Sequence, residues 1–216
     1  LKFMDDNKYI SSGGDADVRI FDLNAAQTNE SLCIFRGHSK DCQSIKFARD
    51  DKSMQKFITC SSDKTVKMWD VRTTKCTHTF KTDSELNACA MFPDGNLIGC
   101  GGIKDKTYVF DVRTYSQVGK YARNNQQTAS VEFSASGREL YVGHDDGSII
   151  VWDIFASGDN KQYAKKIEAH TKYDQAKKVV NEQSRVQALD VGPEGFLASG
   201  GFDGKSTFGG LLDTLH

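Results

Sequence analysis

Apolar and polar residues alternate along most of this chain in short runs of five to seven, and turn-forming residues end each run. Residues 42–48, 55–61, 65–70 and 76–81 show the pattern, with turns at Asp50-Asp51 and Ser62-Asp63. A period of two with Gly, Asp, Asn and Ser punctuation predicts β-strands, and the spacing leaves no room for crossover helices. Residues 86–92, 96–101, 107–111 and 117–121 form a second set of four, turning at Pro93-Asp94-Gly95-Asn96. Residues 129–133, 139–143, 148–153 and 163–167 form a third, turning at Ser136-Gly137. A first set keeps only Leu1-Lys2-Phe3 of its leading strand. A last set supplies 186–191, 195–199 and 205–208.

The sets recur with a fixed closing pair, Phe21-Asp22, Trp69-Asp70, Phe110-Asp111 and Trp152-Asp153, whose aspartates stand 48, 41 and 42 residues apart. A turn aspartate precedes the aromatic residue by six positions at Asp15, Asp63 and Asp146, and by five at Asp105. A fifth, Asp203, follows Ser199-Gly200-Gly201-Phe202. Gly37-His38 before the second set and Trp69-Asp70 at its third strand form the Gly-His to Trp-Asp signature of WD repeats, whose period is about 40–45 residues per four-stranded propeller blade. The fold class expected is all-β: a β-propeller with about five four-stranded blades at roughly 1–36, 41–81, 85–122, 128–168 and 185–208, in a single domain with incomplete terminal blades.

In this grammar the turn aspartate accepts from nearby N–H groups and from the Gly-His imidazole. The imidazole reaches a strand Ser or Thr, which bonds the indole N–H. His38, Thr59, Asp63 and Trp69 can form the whole set. Asp15, Asp146, Trp152 and Asp203 hold single positions of it in other blades, and Phe21 and Phe110 cannot donate. Only the second blade is expected to be fully netted, with a structural rather than catalytic role, because satisfied buried polar groups tie elements together.

Composition alters little. The 216 residues are 38% hydrophobic and 26% charged with a net charge of −1, which gives no bulk attraction to nucleic acid or an anionic membrane. No apolar run approaches the roughly 18 residues of a spanning helix. The six cysteines (33, 42, 60, 76, 89 and 100) show no C-x-x-C spacing, so we expect reduced, buried thiols, no metal site and a reducing compartment. No G-x-S-x-G, H-E-x-x-H or phosphate loop occurs, so neither a cofactor nor an enzymatic activity is expected. Gly13-Gly14, Gly101-Gly102 and Gly200-Gly201 recur at equivalent positions and are read as tight turns. The chain opens on Leu1 inside an apolar triplet, which suggests a piece of a longer one.

Phe3-Met4-Asp5-Asp6-Asn7, Phe92-Pro93-Asp94-Gly95-Asn96 and Phe133-Ser134-Ala135-Ser136-Gly137-Arg138, in this order and spacing, resemble the β subunit of heterotrimeric G proteins, as do Asp70-Val71-Arg72 and Asp111-Val112-Arg113. The likeness runs from Leu1 to about Asp203 and aligns with the last five of that family's seven blades. It implies that a helix and about two blades are missing from this chain. It further implies a non-enzymatic, cytoplasmic scaffold at the inner face of the plasma membrane. Such a scaffold binds a GDP-loaded α subunit and a lipidated γ subunit and relays receptor signals to effectors. Membrane contact would then be indirect, through the lipidated partner. The alternative is a WD-repeat adaptor in a ligase or trafficking complex.

Carried over residue by residue, the resemblance places Asp41, Gln43, Glu85, Asn87, Arg185 and Phe202 at the α-subunit and effector interface. Glu85 stands for Asp, Gln43 for Met and Phe202 for Trp, while Ile103-Lys104 breaks an acidic turn. Two departures stand out. An insertion at 171–184, rich in Lys, Gln and Asn, suits a solvated loop or one marginal helical turn on the partner face. At the end, Gly209 occupies the place of the closing Trp. Repeats contact only their neighbours, so strong central blades and weak ends are expected, in an open arc that aggregates or requires its missing blades.

Overall fold

The structure, a computed structural model, describes residues 1–4, 7–24, 30–104, 106–122, 126–156, 165–174 and 179–210, with the backbone alone for 171–174, 179–183 and 209–210. Four antiparallel sheets of four strands follow one another along the chain. The first holds β1 (Lys2–Phe3), β2 (Lys8–Ser12), β3 (Val18–Asp22) and β4 (Cys33–Phe35). The second holds β5 (Cys42–Phe47), β6 (Lys56–Ser61), β7 (Thr65–Asp70) and β8 (Lys75–Lys81). The third holds β9 (Leu86–Met91), β10 (Leu97–Gly102), β11 (Thr107–Asp111) and β12 (Ser116–Tyr121), and the fourth holds β13 (Thr128–Phe133), β14 (Glu139–His144), β15 (Ser148–Asp153) and β16 (Lys165–Glu168). A two-stranded hairpin, β17 (Thr171–Asp174) and β18 (Val179–Gln183), precedes a three-stranded sheet of β19 (Val186–Val191), β20 (Phe196–Gly201) and β21 (Ser206–Gly210). The arrangement is a five-bladed β-propeller in which each blade is a simple meander.

The core lies between blades. Each strand turns one set of alternating side chains toward the next blade and the other set toward the preceding one. Ile58, Cys60, Val66, Met68 and Phe80 of the second blade pack on Leu86, Met91, Ile98 and Tyr108 of the third. Val109 and Tyr121 then meet Phe133, Leu140 and Trp152 of the fourth, whose Tyr141, Ile149 and Val151 meet Val186, Leu189 and Leu197 of the last. Two contacts span the channel between the inner strands instead. Lys46 on β5 pairs with Glu132 on β13, and Arg49 Nη2 donates to the Val191 carbonyl at 2.9 Å.

Four expectations need correction. Residues 171–174 and 179–183 are not the expected loop or helical turn: they are two paired antiparallel strands, with Thr171 opposite Gln183 and Asp174 opposite Val179. The last blade reaches Gly210, so its third strand is a full five residues even though Gly209 replaces the aromatic residue. The second blade is also not the only one with a completed polar net, as shown below. Finally, of the Gly-Gly pairs, those at 101–102 and 200–201 lie within strands rather than turns. A Cβ on Gly102 would stand 1.9 Å from the Glu85 carbonyl oxygen, and one on Gly201 2.5 Å from the His170 ring. Close approach of a neighbouring chain segment requires those glycines. Asp105, read as the third blade's turn aspartate, lies outside the described residues, as do Asp5 and Asp6.

All six cysteines are free. Burial pushes the Cys42 thiol up to about 12 and raises Cys60 and Cys100 well above the ordinary thiol value. These thiols therefore act as small apolar side chains. Among the described residues no helix is long and apolar enough to cross a membrane, and no group of His, Cys, Asp or Glu could hold a metal ion.

Candidate protein-docking face

In the first, second, fourth and last blades the turns between second and third strands share one construction. Asp15, Asp63, Asp146 and Asp203 each accept at Oδ1 from the N–H two residues on, at 3.3, 3.0, 3.0 and 3.0 Å. The residue between is left-handed in every case: Ala16 at φ 65°, Lys64 at 69°, Gly147 at 79° and Gly204 at 73°. The carboxylate thus stands in for a backbone carbonyl and holds the chain in a tight reversal. These reversals lie on the same face as the loops leading into the next inner strand.

In the second blade that aspartate continues into a chain of side-chain bonds. His38 Nδ1 lies 2.8 Å from Asp63 Oδ2, His38 Nε2 lies 2.7 Å from Thr59 Oγ1, and Trp69 Nε1 donates to Thr59 Oγ1 at 2.8 Å. Burial lowers the His38 pKa, an effect that Asp63 only partly offsets, so the imidazole is neutral. A neutral ring fixes the direction of every bond. Nδ1–H donates to Asp63, Nε2 accepts from the Thr59 hydroxyl, and that hydroxyl oxygen accepts from the indole. Burial alone would raise Asp63, but hydrogen bonds from Thr65, His38 and the Ser39 N–H outweigh it and hold the carboxyl below its ordinary value. Thr59 is fully buried, so its hydroxyl is out of reach of a substrate.

The last blade contains a second such chain, which sequence reasoning missed. His170 Nδ1 lies 3.0 Å from Asp203 Oδ1, its Nε2 lies 2.9 Å from Ser199 Oγ, and Thr207 Oγ1 stands 2.7 Å from Ser199 Oγ. Thr207 fills the place that the indole N–H has in the second blade. The available signal was Ala169-His170, ahead of Asp203. Asp15 instead pairs with Arg19 at 2.6 Å, the guanidinium lowering its pKa, and Asp146 accepts from the Ser148 N–H. Trp152 packs on Tyr121, with ring centroids 5.0 Å apart. In the third blade Asp83 takes over, accepting from Lys106 and from the Tyr108 hydroxyl, and the Lys106 bond leads the effects that lower it to about 2.

The six residues carried over by resemblance stand on the face of these loops. Gln43, Asn87 and Arg185 line one cavity of about 290 Å³ at the mouth of the central channel, with Lys46, Ser130 and Gln187. Gln43 Nε2 donates to Ser62 Oγ at 3.2 Å, and Asn87 Nδ2 donates to the Thr128 carbonyl at 3.0 Å. Arg185 pairs with Asp145 at 3.3 Å, and its carbonyl accepts from the Phe202 N–H at 3.2 Å. The Phe202 ring is 65% exposed. Glu85 is bridged by Lys40 at 3.1 Å, and Asp41, exposed beside Lys40, accepts at its carbonyl from the Ser62 N–H. Lys40 and Asp145 belong to this surface and were not singled out from sequence. Asp145 could have been found, because it precedes its turn aspartate as Phe202 precedes Asp203. Paired charges and an exposed aromatic ring on one face suit recognition of a protein surface.

A family model described as "WD domain, G-beta repeat" matches residues 29–70 and 117–153. Curated relatives are named "Guanine nucleotide-binding protein subunit beta", from Zea mays and from Oryza sativa subsp. japonica. Each is 30% identical over 162 residues, covering 68% of this chain and 41% of the relative. The "Guanine nucleotide-binding protein subunit beta-1" of Nicotiana tabacum is 30% identical over 161 residues, covering 69% of this chain and 41% of its own length. The chain thus spans less than half the length of these relatives. Its repeat grammar, its propeller and these relatives together make it a WD-repeat protein similar to G-protein β subunits.

Proposed function

We propose that the chain is a non-enzymatic signalling scaffold. The face bearing Asp41, Gln43, Glu85, Asn87, Arg185 and Phe202 binds a GDP-loaded G-protein α subunit and, once it leaves, effectors. The observation that carries this reading is the convergence of Gln43, Asn87 and Arg185 at one channel mouth, with the exposed Phe202 ring tied to Arg185 through the backbone. The names of the relatives support the partner class. A lipidated γ subunit would hold the scaffold at the inner face of the plasma membrane, within the cytoplasm.

Pull-down of α subunits loaded with GDP or with a non-hydrolysable GTP analogue tests the proposal. Capture of the GDP form, reduced by Phe202→Ala by about tenfold or more, is expected for an exposed aromatic anchor. Equal capture of both nucleotide forms, or of neither, would refute it. Capture of neither would return the chain to the broader class of WD-repeat adaptors.

A further inference from the structure

The junction between the second and third blades carries a cluster of thiols that the docking residues do not use. Cys60 on β6, Cys89 on β9 and Cys100 on β10 belong to one buried core cluster. Cys89 and Cys100 stand directly opposite each other in the β9–β10 ladder. Cys60 faces them from the second blade. Its partner in the β5–β6 ladder is Ser44, and Cys89 Sγ lies 3.8 Å from the Ser44 carbonyl oxygen. Cys42 Sγ lies 3.9 Å from the same oxygen. Among the described residues no such group is arranged to hold a metal ion, which leaves the chemistry of the thiols themselves. Both blades are full four-stranded sheets with a further blade on either side, so packing within the chain sets the surroundings of the cluster.

The four thiols are not equivalent. Burial holds Cys42, Cys60 and Cys100 protonated. Cys89 differs in place: it lines the cavity at the channel mouth beside Ser44 and Lys46, and the other three do not. It also differs in charge. Burial pushes its pKa up, but hydrogen bonds from Cys60 and Ser44, with the Lys46 ammonium nearby, outweigh burial and bring it below the ordinary thiol value. A thiolate held beside a cation at a cavity wall is the nucleophilic form of cysteine. The side chain is only 1% exposed, so a small uncharged oxidant can reach the sulfur and a bulky disulfide cannot.

We propose that Cys89 is a peroxide-sensitive thiol: a hydroperoxide entering the channel-mouth cavity oxidises it to a sulfenic acid, and Cys60 converts that acid to a disulfide joining the third blade to the second. In the first step the Cys89 sulfur attacks one peroxide oxygen and the O–O bond breaks. The second oxygen leaves with the thiol proton, as water or an alcohol, and the sulfur has lost two electrons to the peroxide. In the second step the Cys60 sulfur attacks the Cys89 sulfur, the S–O bond breaks, and the departing hydroxide takes the Cys60 proton and leaves as water. Cys60 is the resolving thiol because it hydrogen-bonds the Cys89 sulfur. The cavity is the one lined by Gln43, Asn87 and Arg185, so the link alters a wall of the docking face. The chemistry itself does not depend on what docks there.

Treatment of the 216-residue chain with hydrogen peroxide, then alkylation and non-reducing peptide mapping, tests this. Cys89 and Cys60 should escape alkylation together and appear as one cross-linked peptide pair, which dithiothreitol separates. Cys89→Ala should leave Cys60 reduced. Cys60→Ala removes the resolving thiol, so dimedone, which traps sulfenic acids, should label Cys89. That labelling carries the test if Cys89→Ala does not fold by circular dichroism. Oxidation confined to Cys33 and Cys76, the two partly exposed thiols, would overturn the proposal. So would a wild-type cross-link from Cys89 to Cys100 or to a second copy. No partner enters the mapping, so its outcome is separate from that of the α-subunit pull-down.

Discussion

Thr59→Val is the sharpest probe of the buried chain in the second blade. Valine nearly matches threonine in volume, so no cavity opens and the change isolates the hydroxyl. That hydroxyl serves two neighbours, accepting from Trp69 Nε1 at 2.8 Å and donating to His38 Nε2 at 2.7 Å. Both partners are buried, so Thr59→Val orphans a donor and an acceptor at once. Each unsatisfied neutral group costs about 1–3 kcal/mol, which puts the variant at about 2–6 kcal/mol of lost stability. Against a typical domain stability of about 5–15 kcal/mol, that is a large fraction.

Trp69→Phe supplies the second arm. It removes the indole donor, so in the double variant only His38 is left without its partner. The double should therefore cost less than the sum of the singles by about 1–3 kcal/mol, the penalty of one orphan. Chemical denaturation followed by far-UV circular dichroism reads both values without relying on the tryptophan that one variant removes. A Thr59→Val cost below about 0.5 kcal/mol, the range of an inert surface change, would refute the reasoning, as would strict additivity.

Acid should destabilise the protein in two steps. His38 is depressed in the fold, so its contribution is complete above the unfolded value of about 6.5 and is lost as pH falls through the folded value. The depressed carboxylates Asp63, Asp70 and Asp111 lose theirs below about 4. Thermal melts from neutral pH downward should show the first decline, His38→Asn should flatten it, and an unchanged wild-type midpoint between pH 7 and pH 5 would contradict it. Gly102→Ala forces a Cβ against the Glu85 carbonyl and should cost about 1–3 kcal/mol or more, whereas Gly200→Ala enters open space and should stay within about 0.5 kcal/mol. Equal effects of the two in a denaturant titration would count against the close-approach account.

The strands were legible because alternation is a local signal. Expected segments such as 65–70, 107–111, 148–153 and 186–191 match the strands residue for residue. What failed was everything whose cause lies elsewhere in the chain. The Gly102 requirement is set by Glu85, just ahead of the neighbouring strand β9, so a local reading took it for a turn. The net around His170 was hidden because it was sought through a tryptophan, and Gly209 occupies that place while Thr207 supplies the hydroxyl. The paired strands β17 and β18 have a polar composition without clear alternation, and their pairing comes from backbone bonds that composition does not encode. On the candidate face, Gln43, Asn87 and Arg185 lie far apart in sequence. Only the closing of inner strands around one channel brings them together.

The two contacts across that channel change how stress is shared. In a stacked array each unit feels its neighbours alone, so a loosened end is invisible two units away. Here the Lys46–Glu132 pair ties the second blade to the fourth, and the Arg49 bond to the Val191 carbonyl ties the second to the last. They act as spokes, so strain entering at the rim of the last blade reaches the hub of the second without passing through the blades between. A partner seated over the channel mouth, where Lys46 is part of the lining, would therefore press on a truss rather than on a row of independent plates.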